Sequence, residues 1–237
     1  MTEDFTVLAF GAHPDDVEIG AGGILALHAE LGYKVGICDL TEAEMSSNGT
    51  VETRRQEAQR AADILGVQAR FQLHLQDRGL RLERFMIDRV VGILRETRPR
   101  IILAPHPSDR HPDHGWCAQI VREAWFSAGL RKYQPADSHA EPYRPQQLYY
   151  YFINDTHSVP LAVDVSSVYG RKREALLAYA TQFQRQSGKA ETPLNNGIFL
   201  NAVEGRDAMF GQQINARFAE GLLPAQLLAI QDLTTFA

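Results

Sequence analysis

The tripeptide His-Pro-Asp occurs twice in this 237-residue chain, at 13–15 and at 111–113. A chain of this composition would contain about 0.02 copies by chance, so the repetition indicates that the two segments have a common function. Each copy is followed at once by another ionisable residue, Asp16 in the first segment and His114 in the second. Imidazole and carboxylate groups are ligands of zinc and similar divalent metals, and three protein ligands leave one position open for chemistry.

We expect His13, Asp16 and His114 to bind one zinc ion, or another divalent transition metal, per chain. The simpler alternative is that both segments only begin helices, because Asp caps helix N-termini and Pro is common in the first turn. Capping does not require histidine, so the pair of segments favours the metal. The remaining ionisable residues of the two segments are candidates for catalysis: Asp15, His111 and Asp113.

Other catalytic motifs are not found in the sequence. The Gly-rich segment at 20–23 continues with Leu25 where a dinucleotide fingerprint needs a small residue, and no G-x-S-x-G elbow or P-loop occurs. Cys117 lies one helical turn after His114 and is a conceivable thiolate ligand, but a small buried side chain is the simpler interpretation. The sequence therefore favours metal-assisted chemistry over nicotinamide, flavin, serine-hydrolase or P-loop chemistry.

Short apolar runs alternate with amphipathic helical patterns and predict the framework that positions these residues. The predicted strands lie at 5–10, 34–40, 70–75, 100–105, 148–153 and 161–165. Helical periodicity separates the first four strands and returns at 112–128 and 168–183. This alternation predicts an α/β fold, a Rossmann-like three-layer α/β/α sandwich with a mostly parallel sheet. Both His-Pro-Asp segments follow predicted strands, at the edge where such sheets bind ligands.

Composition and charge restrict the partners. The chain has the composition of one globular domain, 1–237, and a net charge of -5 without a basic run that could neutralise phosphates. No apolar stretch approaches the roughly 20 residues of a membrane span, and the acidic start is unlike a signal peptide. Two cysteines do not form a disulfide framework. We expect a cytoplasmic protein that acts on a small molecule and contacts neither nucleic acid nor membrane.

Together these segments resemble the LmbE-like (PIG-L) family of zinc-dependent N-acetylglucosaminyl deacetylases. The similarity extends from FGAHPDDVEIGAGG at 10–23 to FAEG at 218–221. The segments most similar to the bacillithiol-biosynthesis branch are GICDLTEAEMSSNGTVETR (36–54), DRGL (77–80), DRHPDH (109–114) and FSAGLRKYQP (126–135). Ala43 also matches that branch, since the broader family has Gly in its T-x-G-E motif. Members of the branch remove acetate from N-acetylglucosaminyl malate.

The resemblance implies a role for each site residue. The family's metal ligands fall on His13, Asp16 and His114, the residues chosen above. Its general base, its general acid and the carboxylate that orients the acid fall on Asp15, His111 and Asp113. Its substrate contacts fall on Arg54, Asp77 and Arg110. One position departs from the branch, because Ile198 stands where a Tyr helps to hold the developing oxyanion.

The implied reaction agrees with the chemistry of these side chains. Zinc would activate a water molecule and polarise the acetamide carbonyl, Asp15 would accept a proton and His111 would protonate the leaving amine. The branch also implies a homohexamer. Two alternatives stay open: a deacetylase or amidase that acts on another N-acetylglucosaminide or thiol conjugate, and a metal-containing binding protein on the same fold, which would need neither Asp15 nor His111.

Overall fold

A seven-stranded sheet with helices on both faces forms the protein in a computed structural model that describes residues 4–136, 138–229 and 231–232. The strands are β1 (Val7–Gly11), β2 (Val35–Thr41), β3 (Ala69–Leu75), β4 (Ile101–Pro105), β5 (Gln147–Tyr151), β6 (Leu161–Asp164) and β7 (Ala219–Pro224). The helices are α1 (Asp16–Glu30), α2 (Val51–Leu65), α3 (Arg84–Thr97), α4 (Pro112–Ala128), α5 (Tyr169–Ala178), α6 (Ala180–Phe183) and α7 (Phe199–Gln213). Among the described residues no helix is long and apolar enough to cross a membrane.

The sheet has the strand order β3-β2-β1-β4-β5-β7-β6, and its first five strands in sequence are parallel. This confirms the predicted three-layer α/β/α sandwich with a mostly parallel sheet. β7 is antiparallel to both β5 and β6, and neither β7 nor α7 was predicted. The predicted helix over 168–183 is also interrupted, since Tyr179 separates α5 from α6 with a non-helical backbone.

Successive side chains of β1 alternate between the two hydrophobic clusters, one on each face of the sheet. Val7 and Ala9 face the cluster built with α1, α2 and α5, whereas Leu8 and Phe10 face the cluster built with α3 and α4. Successive side chains of a strand point to opposite faces, so a run of apolar residues marks a strand covered on both sides. The sheet is therefore held rigidly beneath the loops that leave its carboxyl edge.

The glycines of α1 allow the helix to lie close to the sheet. A Cβ at Gly20 would overlap the Tyr151 ring, and a Cβ at Gly23 would lie 2.9 Å from Val165. Tyr151 in turn donates a 2.7 Å hydrogen bond to the Phe10 carbonyl. The Gly-rich segment is thus explained by packing, which agrees with its lack of a dinucleotide fingerprint.

Candidate active site

The two His-Pro-Asp segments meet because β1 and β4 are neighbours in the sheet. From β1 the chain continues to β2 on one side, and from β4 it continues to β5 on the other. The carboxyl ends of β1 and β4 thus form a topological switch point, the place where open α/β sheets bind ligands. A cavity of about 540 Å³ opens there, and residues of both segments line it.

Asp15 has a strained backbone at the start of α1. Its φ is 119°, a conformation that L-residues rarely adopt, and its side chain makes no capping bond to the described backbone. Asp16 instead holds the turn, since its Oδ2 accepts a 2.9 Å hydrogen bond from the His13 backbone N–H. Simple helix capping therefore does not account for Asp15, and strain of this kind is concentrated at functional sites.

His111 is the N-cap residue of α4, with Pro112 in the first turn. Its Nδ1 accepts a hydrogen bond from the backbone N–H of Asp113 at 3.3 Å. The capping alternative thus applies to His111 in part. Its ring nevertheless lines the cavity and stacks on His114 with 4.7 Å between the ring centroids. Burial together with the charges of His114 and His13 lowers the pKa of His111.

The three predicted metal ligands lie together and are buried. The Asp16 carboxylate is between the two imidazoles, with Oδ1 at 3.1 Å from His114 Nε2 and Oδ2 at 3.5 Å from His13 Nδ1. Burial alone would raise the pKa of Asp16, but the adjacent His114 and His13 hold it well below its usual range. Burial would likewise lower the pKa of His114, yet Asp16 and Asp109 raise it to about 9.

This environment is suited to a metal cation. Two imidazole nitrogens and a carboxylate converge in a pocket whose electrostatics stabilise positive charge, and such a donor set fits zinc or a similar divalent metal. Among the described residues, the ligand atoms that lie close enough together to hold one ion are those of His13, His111 and His114, and those of His13, Asp77 and Asp113. Asp16 is in neither group, but its carboxylate is next to both His13 and His114. The described residues therefore provide a possible His/Asp metal site at the floor of the cavity.

Asp15 lies beside a buried guanidinium. Arg54 Nη1 is 3.3 Å from Asp15 Oδ2 and also donates to the Pro14 carbonyl at 2.8 Å, while Nη2 donates to Ser46 Oγ at 3.0 Å. Burial raises the pKa of Asp15 to about 7, although the positive charge of Arg54 acts in the opposite direction. Glu57, one turn further along α2, accepts its hydrogen bonds from Thr181.

The Asp113 carboxylate makes its hydrogen bonds to Arg78 and not to the His111 ring that it was predicted to orient. Its Oδ2 accepts a 2.7 Å hydrogen bond from the Arg78 backbone N–H, and its Oδ1 accepts from Arg78 Nη1 at 3.0 Å. Oδ2 is also 3.7 Å from His13 Nε2. Within the described part of the chain, no hydrogen bond joins the Asp113 carboxylate to the His111 ring, so that orienting role stays a prediction.

Asp77 and Arg110 both line the cavity but differ in their environment. Asp77 is buried, and its Oδ1 is 3.2 Å from His13 Nε2. Arg110 is exposed, and no ion pair of its side chain is found within residues 4–136, 138–229 and 231–232. Ile198, the departure from the branch, is 69% exposed and lines an adjoining cavity of about 400 Å³ that also includes Arg110.

Asp109 was not predicted to belong to the site. Its Oδ1 is 2.9 Å from His114 Nδ1, and Asn154 donates to both of its carboxylate oxygens. The position of Asp109, five residues before His114, was the available signal in the sequence.

A family model described as PIG-L, GlcNAc-PI de-N-acetylase, matches residues 8–125. Diacetylchitobiose deacetylase from Thermococcus kodakarensis is 30% identical over 228 residues, which cover 91% of this chain and 81% of that protein. The chain belongs to the PIG-L (LmbE-like) deacetylase family. The crystal structure of a conserved protein from Thermus thermophilus is 33% identical, with a TM-score of 0.84, and the match covers 96% of this chain and 98% of that one.

Two less similar relatives have names that describe different reactions. A 4-oxalmesaconate hydratase from Pseudomonas putida is 26% identical over 93% of this chain and 89% of that protein. A Bacillus subtilis protein named "Probable N-acetyl-alpha-D-glucosaminyl L-malate deacetylase 2" is 26% identical over 80% of this chain and 89% of that protein. Membership in the PIG-L family therefore leaves the substrate to be argued from the site.

Proposed function

We propose that this PIG-L family member is a zinc-dependent hydrolase that removes acetate from an N-acetylglucosaminide. The observation that carries the proposal is the pairing of a possible metal site with a separate buried carboxylate. Asp16 lies between the His13 and His114 imidazoles, while Asp15 points into the same cavity without a capping role. A protein that only bound a metal or a ligand would not need the second carboxylate in this strained position.

The residues have complementary roles in amide hydrolysis. His13, Asp16 and His114 would hold the metal, which supplies a water of lowered pKa and polarises the acetamide carbonyl. Asp15 accepts the proton of the attacking water. His111, on the same cavity wall, is placed to donate a proton to the departing amine. Arg54 holds the Asp15 carboxylate in place and favours its ionised form.

The substrate assigned to the site is N-acetylglucosaminyl malate, the substrate of bacillithiol biosynthesis. Arg110 supports this choice, since its exposed guanidinium at the cavity mouth suits carboxylate recognition. Arg54 supports it less than the sequence suggested, because its hydrogen bonds are made within the protein. Diacetylchitobiose is the second candidate, favoured by the 30% identity to an enzyme that acts on it.

Release of acetate from a panel of substrates tests the proposal. The panel contains N-acetylglucosaminyl malate, diacetylchitobiose and N-acetylglucosamine, with metal content measured on the same preparation and 4-oxalmesaconate as a control for hydration. We expect acetate release with the highest kcat/KM for the malate conjugate. Arg110→Ala should reduce that preference by about ten- to a hundredfold, because this is the change in kcat/KM expected when one hydrogen bond to a charged group is lost.

Each other outcome has a defined meaning. Equal kcat/KM for the malate conjugate and the free sugar would refute the malate assignment but keep the deacetylase activity. A preference for diacetylchitobiose would make diacetylchitobiose the substrate in place of the malate conjugate. Turnover of 4-oxalmesaconate without acetate release from any sugar would refute the deacetylase. A homohexamer, a single 1–237 domain and a cytoplasmic location are proposed with this function, and sedimentation of the purified protein tests the hexamer.

A further inference from the structure

Each of the two histidines beside Asp16 has a second carboxylate on its other ring nitrogen. His114 presents Nε2 to Asp16 at 3.1 Å and Nδ1 to Asp109 at 2.9 Å. His13 presents Nδ1 to Asp16 at 3.5 Å and Nε2 to Asp77 at 3.2 Å. The two rings thus use opposite nitrogens toward Asp16, and both outer nitrogens end on buried carboxylates.

Asp109 is fixed by three other hydrogen bonds. The backbone N–H groups of His111 and Asn154 donate to it at 2.8 and 3.1 Å, and Asn154 Nδ2 donates at 2.9 Å. These bonds connect the loop after β4 to the loop after β5. Its side chain is only 3% exposed, so the carboxylate can neither rotate freely nor exchange its partners for water.

Asp77 is fixed in a comparable way from the opposite side of the cavity. Its Oδ2 accepts a 3.1 Å hydrogen bond from the Met45 backbone N–H, and its own N–H donates to Glu44 Oε1 at 2.6 Å. Asp113 is the other carboxylate near His13 Nε2, but it is farther away at 3.7 Å and already accepts two hydrogen bonds from Arg78. Asp77 is therefore the principal partner of that nitrogen.

We infer that Asp109 and Asp77 are positioning residues that set the ring orientation and tautomer of His114 and His13 for metal binding. An ionised carboxylate can only accept a hydrogen bond, so the imidazole proton lies on the nitrogen that faces it. A metal bound beside Asp16 would displace the proton from the nitrogen that faces Asp16, and that nitrogen then supplies the lone pair that a metal ligand requires. For Asp77 this role is additional to the substrate contact that the family resemblance implied. The inference rests on the metal site of the proposed function.

Metal affinity measured without substrate tests the inference. The metal-stripped wild type, Asp109→Asn and Asp77→Asn are titrated with Zn²⁺ against a chelator of known affinity. Loss of such a partner typically weakens metal binding by about 10- to 100-fold, and we expect this for each variant. Asp155→Asn is the matched control. Asp155 is an exposed neighbour whose carboxylate accepts a hydrogen bond from the Arg110 backbone N–H, so this variant should leave the Zn²⁺ affinity unchanged.

Two further measurements separate positioning from general structural damage. Circular dichroism of the metal-free proteins shows whether a variant is folded, and Asp109→Glu and Asp77→Glu, which keep the carboxylate, should recover part of the lost affinity. The absorption spectrum of the Co²⁺-loaded proteins should also change in the Asn variants, because the ligand geometry changes.

The results distinguish this inference from the proposed function. Wild-type Zn²⁺ affinity in both folded Asn variants would overturn the inference while leaving the metal site intact. A higher KM in Asp77→Asn with unchanged Zn²⁺ affinity would leave Asp77 with substrate binding alone and overturn its half of the inference. A wild type that binds no Zn²⁺ at all would overturn the proposed function, and the positioning roles with it.

Discussion

Replacing Arg54 with Gln should move the acid limb of the pH–rate profile to higher pH. Asp15 must be ionised to accept a proton, so activity rises as the pH passes through its pKa. Burial raises that pKa to about 7, and the Arg54 guanidinium at 3.3 Å acts to lower it. Glutamine keeps a hydrogen-bond donor near the Pro14 carbonyl but removes the charge. The pKa of Asp15 should therefore rise in the variant.

The size of the shift follows from the geometry of the pair. An opposite charge at this distance lowers a carboxyl pKa by about 1–3 units, which corresponds to roughly 1.4–4 kcal/mol. Both side chains are buried, so solvent screens the interaction only weakly. A metal held by Asp16 would lower the pKa of Asp15 in both proteins, and the prediction concerns the difference between them.

The assay is kcat/KM for acetate release across the pH range, which reports the pKa values of the free enzyme. Arg55→Gln is the matched control, since Arg55 is the next residue of α2 but is exposed and pairs with Glu42 and Glu52. We expect a shifted acid limb in Arg54→Gln, recovery of activity at high pH and an unchanged profile in Arg55→Gln. An unshifted limb with a uniformly higher KM would show that Arg54 acts on the substrate instead.

Three other perturbations follow from the structure. Asp15→Asn should retain its metal by elemental analysis yet lose about 10²- to 10⁴-fold in kcat, and a loss below tenfold would argue against a general base. Ala43→Gly should raise the free energy of unfolding by up to about 1.5 kcal/mol. Ala43 has a φ of 51°, and the strain of an L-residue in this conformation exceeds the free energy lost through the greater freedom of glycine in the unfolded chain. Denaturant unfolding measures the change, and a clear loss of stability would contradict the argument. Lys172→Met should lower the free energy of unfolding by about 3–5 kcal/mol in the same measurement, because buried Asp207 and Glu220 lose their shared cation; wild-type stability would show that the two carboxylates do not depend on it.

The parallel part of the fold was predictable because it depends on local patterns. Strands at 7–11 and 101–105 are short apolar runs followed by amphipathic helices, and right-handed crossovers leave few alternatives for their arrangement. The antiparallel strand β7 was not predictable in this way. Its sequence AEGLLP contains Gly and Pro, and its partners β5 and β6 lie far back in the chain. Such long-range pairing leaves no periodic signal of its own.

A similar division applies to the site. The convergence of His13, Asp16 and His114 was predictable, because their segments follow strands whose carboxyl ends share one edge of the sheet. The hydrogen-bond partners of these side chains were not predictable, because the partners depend on side-chain rotamers and on loops that are distant in sequence. Asp113 was expected to face His111, but its carboxylate bonds to Arg78, which lies 35 residues away.

Zinc titration of the metal-stripped protein, followed by acetate release, tests the central claim most directly. If His13, Asp16 and His114 form one catalytic site per chain, acetate release from N-acetylglucosaminyl malate or diacetylchitobiose should be negligible without metal. It should rise in proportion to added Zn²⁺ and reach its maximum at one equivalent, and His114→Ala should show no such rise. Full acetate release by the metal-free protein, or by His114→Ala at one equivalent, would contradict the account.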